Sequence, residues 1–233
     1  MNIFLSELIG MALLITLGCG VVANVVLHKT KGNGSGWIVI TMGWAMAVFV
    51  GVFASAESGS HLNPAVTIAL AILHKISWAD VPVYIAAQMV GAIVGAILVW
   101  LAYYHHFNAT EDPSLQLAVF CTAPAIKNSV GNFITEAIAT FVLLFAVLKL
   151  TAPESAIGAL KALPVSFIVL GIGLSLGGPT GYAINPARDL GPRIAYTILP
   201  IKGKGSGNWG YSWVPVLGPI AGASLAAFLF SML

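Results

Sequence analysis

Six stretches of this chain run almost without charge and are long enough to cross a bilayer, whose hydrocarbon core takes about 20 helical residues. They are Ile3 to Leu27, Gly36 to Ser55, Ala79 to Tyr104, Val130 to Leu150, Ala156 to Leu176 and Ser212 to Ser231. Of the 233 residues 58% are hydrophobic and 8% are charged, so no soluble fold of this length could cover itself with polar groups. In lipid every backbone N–H and C=O needs an internal partner, and apolar runs of this length meet that demand as helices. The expected class is therefore an all-α integral membrane fold with six transmembrane helices. The first run lacks a preceding Lys or Arg and continues past Gly18-Cys19-Gly20, so it reads as a retained span rather than a cleaved leader. A net charge of +2 offers nothing to nucleic acid. Cys19 and Cys121 lie in or beside apolar segments without ligand spacing and read as buried thiols, with neither a metal site nor a cofactor implied.

Two further apolar pieces are too short to cross: Asn63 to about His74, and Asn185 to about Tyr196. Each opens on the same words. The first half carries Gly59-Ser60-His61-Leu62-Asn63-Pro64-Ala65, and the second Gly181-Tyr182-Ala183-Ile184-Asn185-Pro186-Ala187. Upstream of them, Glu7 and Glu136 sit near the starts of the first and fourth spans, 56 and 49 residues before the two asparagines. The pattern reads as one domain built of two repeats, about 1–104 and 129–233. Three spans per half is an odd number, so the second repeat is inverted. One short half-helix then enters from each face, and both end near the midplane.

Asn-Pro-Ala has a physical reason to sit there. Proline at the first helical position has a suitable φ and loses no needed donor. Asparagine before it caps the helix with its side-chain oxygen, which leaves its NH₂ free to grip a passing oxygen. The residues before each asparagine (Gly59 to Leu62 and Gly181 to Ile184) are expected to run extended and offer carbonyls to a polar lumen. Two half-helix N-termini meeting at the centre repel cations. Arg188 opposes its own helix dipole, and the matching first-half residue is Val66, so the duplication does not require it. It reads either as a headgroup-seeking surface arginine or as a fixed donor and cation barrier at a pore mouth. Glu7 and Glu136 either reach the interface or accept backbone amides of their half's re-entrant loop. His61 is open between pore lining and a satisfied core histidine. Nothing pairs a nucleophile with a base, so an enzyme is not expected.

With these residues in place the chain resembles the major intrinsic protein family of aquaporins and aquaglyceroporins. The most specific parts are Ser58 to Thr67 and Gly178 to Asp189, and the resemblance extends from Glu7 to about Phe230. It implies a homotetramer with one pore per subunit, no cofactor, passive flow and cytoplasmic termini. The last point opposes a count of lysines, which sets Lys75, Lys149 and Lys161 against Lys29, Lys31, Lys127, Lys202 and Lys204. The family's narrow filter maps onto Gly173, Tyr182, Arg188 and a second-span position at Gly43, where a one-residue shift would substitute Trp44. Asp189, grouped with Glu7 and Glu136 as loop support, Arg193 and Pro215-Val216 resemble the glycerol-conducting branch. Gly173, where water channels of the family place histidine, leaves room for a carbon backbone. The implied permeants are glycerol and water, with dihydroxyacetone, urea and undissociated lactic acid as further small neutral solutes. A water-selective channel and an ion-coupled secondary transporter are the alternatives. The short termini fit a bacterial plasma membrane.

Overall fold

The computed structural model describes residues 2–150 and 162–233. Within them the chain is helical: α1 (Ile3–Val26), α2 (Trp37–Ala54), α3 (Pro64–Ile72), α4 (Val81–Ala102), α5 (Tyr104–Ala109), α6 (Pro113–Phe120), α7 (Ser129–Leu150), α8 (Ala162–Ser175), α9 (Pro186–Ile198) and α10 (Val214–Ser231). Among the described residues, five helices are long and apolar enough to cross a membrane, those that hold α1, α2, α4, α7 and α10. The sixth expected span is described only as the 14 residues of α8, and its expected start at Ala156 lies outside the described residues. At 1.5 Å per residue, α3 reaches only about 14 Å and α9 about 20 Å, short of the roughly 30 Å hydrocarbon core.

Large apolar side chains cover much of the outside of the bundle. Along α1, Leu5, Ile9, Leu13 and Leu17 recur every fourth residue and are exposed, while Glu7, Met11, Leu14 and Ile15 face inward and are buried. In water such a stripe would drive aggregation; in a bilayer it is the solvated face. Lipid supplies no hydrophobic drive between helices, so close approach of backbones has to hold them. Glycines make that possible. A side chain at Gly91 or Gly95 of α4 would press on the α1 carbonyls of Leu8 and Ala12, and one at Gly218 or Gly222 of α10 on those of Phe133 and Ala137 in α7.

Between α4 and α7 the chain forms two short helices, α5 and α6. Asp112 caps α6, its Oδ1 accepting the Ser114 amide at 2.8 Å, and Pro113 stands at the first turn. Gln116 then ties the joint together by donating to the carbonyls of Phe107, Thr110 and Lys202.

Candidate conduction pore

The two half-helices begin as their sequences demand. Asn63 Oδ1 accepts the Ala65 amide at 2.9 Å, and Asn185 Oδ1 accepts those of Ala187 and Arg188 at 3.0 and 3.2 Å. The NH₂ groups differ from expectation, because they are not wholly free. Asn63 Nδ2 donates to Ile184 O at 2.8 Å and Asn185 Nδ2 to Leu62 O at 2.7 Å. One N–H of each amide thus ties the opposite loop, and one remains. The half-helix N-termini are stitched to each other by this exchange.

Glu7 and Glu136 are both fully buried and hold the loops. Glu7 accepts from the amides of His61 and Leu62 at 2.9 and 2.7 Å, from Ser58 Oγ at 2.6 Å and from Gln88 Nε2 at 2.8 Å. Glu136 accepts the amides of Ala183 and Ile184 at 2.9 and 2.8 Å. This clamping explains a departure in the backbone. Instead of running extended, the loops enter left-handed geometry at Gly59, Ser60 and Leu62, and again at Gly181, Tyr182 and Ile184. Each such non-glycine residue costs on the order of 1–3 kcal/mol and persists only where its surroundings over-determine it. The left-handed turns place adjacent amides on one carboxylate. Among the described residues the carbonyls of Ser60, His61, Tyr182 and Ala183 accept no hydrogen bond. His61 is both of the things the sequence left open. It lines the cavity, while its ring stacks on Tyr84 at 4.1 Å and its Nδ1 lies 3.1 Å from Thr67 Oγ1.

A cavity of about 630 Å³ runs past these groups. It is lined by the loop residues Gly59, Ser60, His61, Leu62, Asn63, Ala183, Ile184 and Asn185, and by the apolar side chains of Leu14, Val48, Val52, Val66, Leu143, Val147, Val165 and Val169. Trp44, Tyr182 and Arg188 also line it. The Arg188 guanidinium lies 3.9 Å from the Trp44 ring centroid, with Nη1 3.4 Å from Phe120 O, so this arginine is turned inward rather than snorkelling. Pro64, Ala65, Pro186 and Ala187 are buried behind the lining, and Gly181 packs toward Thr122.

One filter position that the sequence left open is decided by the structure, and another is corrected. Gly43 does not face the cavity: it points at Val21, where an added Cβ would lie 2.5–2.6 Å from that side chain, and Trp44 takes the lining place. Gly173 is not an open corner either. The space over it is filled by the Tyr182 ring and Thr41, which a Cβ would meet at 2.9 Å. Trp37 completes the packing, donating to Gly173 O at 2.9 Å and meeting Tyr182 edge-on. Gly173→His is therefore expected to displace Tyr182 into the lumen and to slow solutes with a carbon backbone far more than water, as read by light scattering of vesicles.

Behind Arg188, Asp189 and Arg193 form a fully buried ion pair at 2.7 Å. Asp189 Oδ2 also accepts from the amide and hydroxyl of Thr122, each at 2.7 Å, and Arg193 donates to the carbonyls of Thr122, Gly207 and Asn208. Cys19 and Cys121 are free, buried thiols.

The family described as Major intrinsic protein matches residues 1–230. The chain belongs to this family. It is 56% identical to the "Probable glycerol uptake facilitator protein" of Thermotoga maritima over the full length of both chains. It is 38% identical to the "D/L-lactic acid transporter" of Lactiplantibacillus plantarum, covering 96% of this chain and 94% of that one. The crystal structure of the aquaglyceroporin from Plasmodium falciparum superposes with a TM-score of 0.86 at 34% identity, covering 97% of this chain and 93% of that one. The chain is accordingly a multi-pass integral membrane protein with the aquaporin fold and its re-entrant half-helices.

In this member of the family several residues at the site escaped the sequence reading. Gln88 bridges Glu7 and Thr67, and Tyr84 carries His61 and donates to Ser58 O at 2.7 Å. Their signal was a polar Gln88 and an aromatic Tyr84 within one apolar span, and lipid tolerates a polar side chain there only where a partner waits. Thr122 gave no signal, since its role depends on a joint whose path the sequence does not encode locally.

Proposed function

We propose that this chain is a passive channel through which glycerol, with water, crosses the membrane. The observation that carries this reading is the cavity itself, which combines apolar side chains with two Asn amides, each with one N–H left, and with loop residues whose carbonyls accept no hydrogen bond. A polyol presents one CH edge and one hydroxylated edge, and both are served at once. In this reading Trp44, Tyr182 and Arg188 form the filter. Asn63 and Asn185 hand on each hydroxyl, and Glu7, Glu136 and Asp189 hold the loops. Arg188 and the two half-helix N-termini oppose cations and protons. Dihydroxyacetone, urea and undissociated lactic acid are small neutral solutes of the same class, and the similarity to a lactic acid transporter supports including the last. We further propose that residues 1–104 and 129–233 are inverted repeats of one domain. The functional form is a homotetramer in a bacterial plasma membrane with cytoplasmic termini. A transporter coupled to an ion needs an intramembrane carboxylate that is free to titrate or ligate, and Glu7 and Glu136 are occupied by loop amides.

The test is light scattering of proteoliposomes under a glycerol gradient beside a purely osmotic shift. Fast reswelling with glycerol, indifferent to imposed pH or sodium gradients, is the expected result. Glycerol accumulation driven by a proton gradient would overturn the channel reading, and water flux without glycerol would overturn the polyol reading.

A further inference from the structure

The Trp44 ring sits against a residue that never touches the lumen. Gly18 of α1 is buried, and a Cβ built on it would lie 2.5 Å from Trp44 Cη2 and closer still to Cζ3 and Cε3. All three of its nearest neighbours belong to the six-membered ring of that indole, and none is backbone. The Arg188 guanidinium stacks on the Trp44 indole, and Trp44 is 4% exposed and lines the cavity. Trp44 therefore has no room to retreat. Bulk added at position 18 presses on the side of the indole away from the cavity that Trp44 lines, and so is expected to push the ring toward that cavity and to disturb the guanidinium stacked on it.

Tyr182 shows the same construction from the turn that follows α8. A Cβ at Gly177 would lie 2.6 Å from Tyr182 Cδ1, although also 2.6 Å from Gly173 O, so bulk there strains the backbone as well. Gly18 is the cleaner position, because the three atoms nearest to its Cβ all belong to the lining ring. In sequence it is indistinguishable from the small residues that let membrane helices approach.

We infer that Gly18 is a specificity-determining positioning residue, a slot in α1 that sets the Trp44 indole back from the lumen and so fixes the width of the filter for three-carbon solutes. The inference rests on reading Trp44, Tyr182 and Arg188 as the filter. On this view, the aromatic residues alone do not determine what passes. The same ring pair becomes narrower or wider according to the residue behind each ring.

The experiment measures glycerol and water permeability of proteoliposomes carrying the wild type, Gly18→Ala, Trp44→Ala, Trp44→Phe and the pair Gly18→Ala with Trp44→Phe. Gly18→Ala is expected to slow glycerol about tenfold, the scale on which one carbon discriminates in a tight pocket, with a smaller loss for water. Phenylalanine lacks the outer ring atoms that the new methyl would strike, so the pair is expected to return to the glycerol-to-water ratio of Trp44→Phe alone. A general packing defect would lower both fluxes together and would not be rescued by a smaller ring. An unchanged ratio in Gly18→Ala, with a changed ratio in Trp44→Ala, overturns the role of Gly18 and leaves the filter standing. If Trp44→Ala also leaves the ratio unchanged, the filter reading itself fails. Should Gly18→Ala not yield monodisperse protein, the paired variant decides. Its recovery with the Trp44→Phe ratio supports the slot, and its loss assigns Gly18 to helix packing alone.

Discussion

Glu7→Ala is expected to abolish glycerol flux and to prevent recovery of monodisperse protein. Four donors converge on this carboxylate, and two of them, the amides of His61 and Leu62, have no other acceptor nearby. Ser58 Oγ has a second acceptor in Ser55 O, and Gln88 Nε2 has one in Thr67 Oγ1. The irreducible loss is therefore the two amides. At about 1–3 kcal/mol for each buried unsatisfied donor, the change costs about 2–6 kcal/mol. Against a total stability of about 5–15 kcal/mol, that is a large share. The left-handed residues Ser60 and Leu62 lose the group that holds them, so the loop lining of the cavity collapses first. Glu7→Gln is expected to fall between the two, because its oxygen accepts one amide while its NH₂ faces the other. Thermal denaturation in detergent, beside glycerol flux, checks both variants. An unchanged melting temperature and unchanged flux in Glu7→Ala would remove the carboxylate from the loop-holding role.

This dependence explains how the sequence could point to the site without supplying its geometry. Two carboxylates in apolar spans had either to reach the interface or to find buried partners, and repeated Asn-Pro-Ala words had to cap short helices; both constraints act within a few residues or follow from the cost of burying charge. What a single span does not encode is its rotation against its neighbours. Gly43 and Trp44 are adjacent and only one of them can face the lumen. The choice is made by α1, where Val21 fills the place beside Gly43 and Gly18 leaves room for the indole. Gly173 shows the same limit. Its small size reads as open space in sequence, whereas in the fold the Tyr182 ring occupies that space. The loops were misread as extended for a related reason, since the left-handed turns are imposed by carboxylates some fifty residues upstream. The start of α6, by contrast, is encoded locally, by a capping residue followed by proline at the first turn in Asp112-Pro113-Ser114.

Arg193→Ala is the second change expected to have a large effect, with a cost of about 3–5 kcal/mol, the range for removing one partner of a buried ion pair. Its reach is wider than the pair. Arg193 fastens the carbonyls of Gly207, Asn208 and Thr122, and Asp189 fastens the amide and hydroxyl of Thr122, so two joints are pinned to the second half-helix at one point. Two residues before Thr122 lies Phe120, whose carbonyl receives Arg188. Loss of Arg193 is thus expected to lower the melting temperature and also to loosen Arg188, weakening discrimination between solutes in whatever protein remains folded. Arg193→Lys is expected to recover only part of this, because one ammonium cannot reproduce a planar fork that serves four groups. The double variant Asp189→Ala with Arg193→Ala separates the charge from the network. If the uncompensated charge were the whole cost, removing both partners would restore stability. The orphaned Thr122 amide and the three freed carbonyls argue otherwise, so the double variant is expected to melt no higher than Arg193→Ala. A double variant near the wild-type melting temperature would show that the pair matters only through its charge, and that the joints hold themselves.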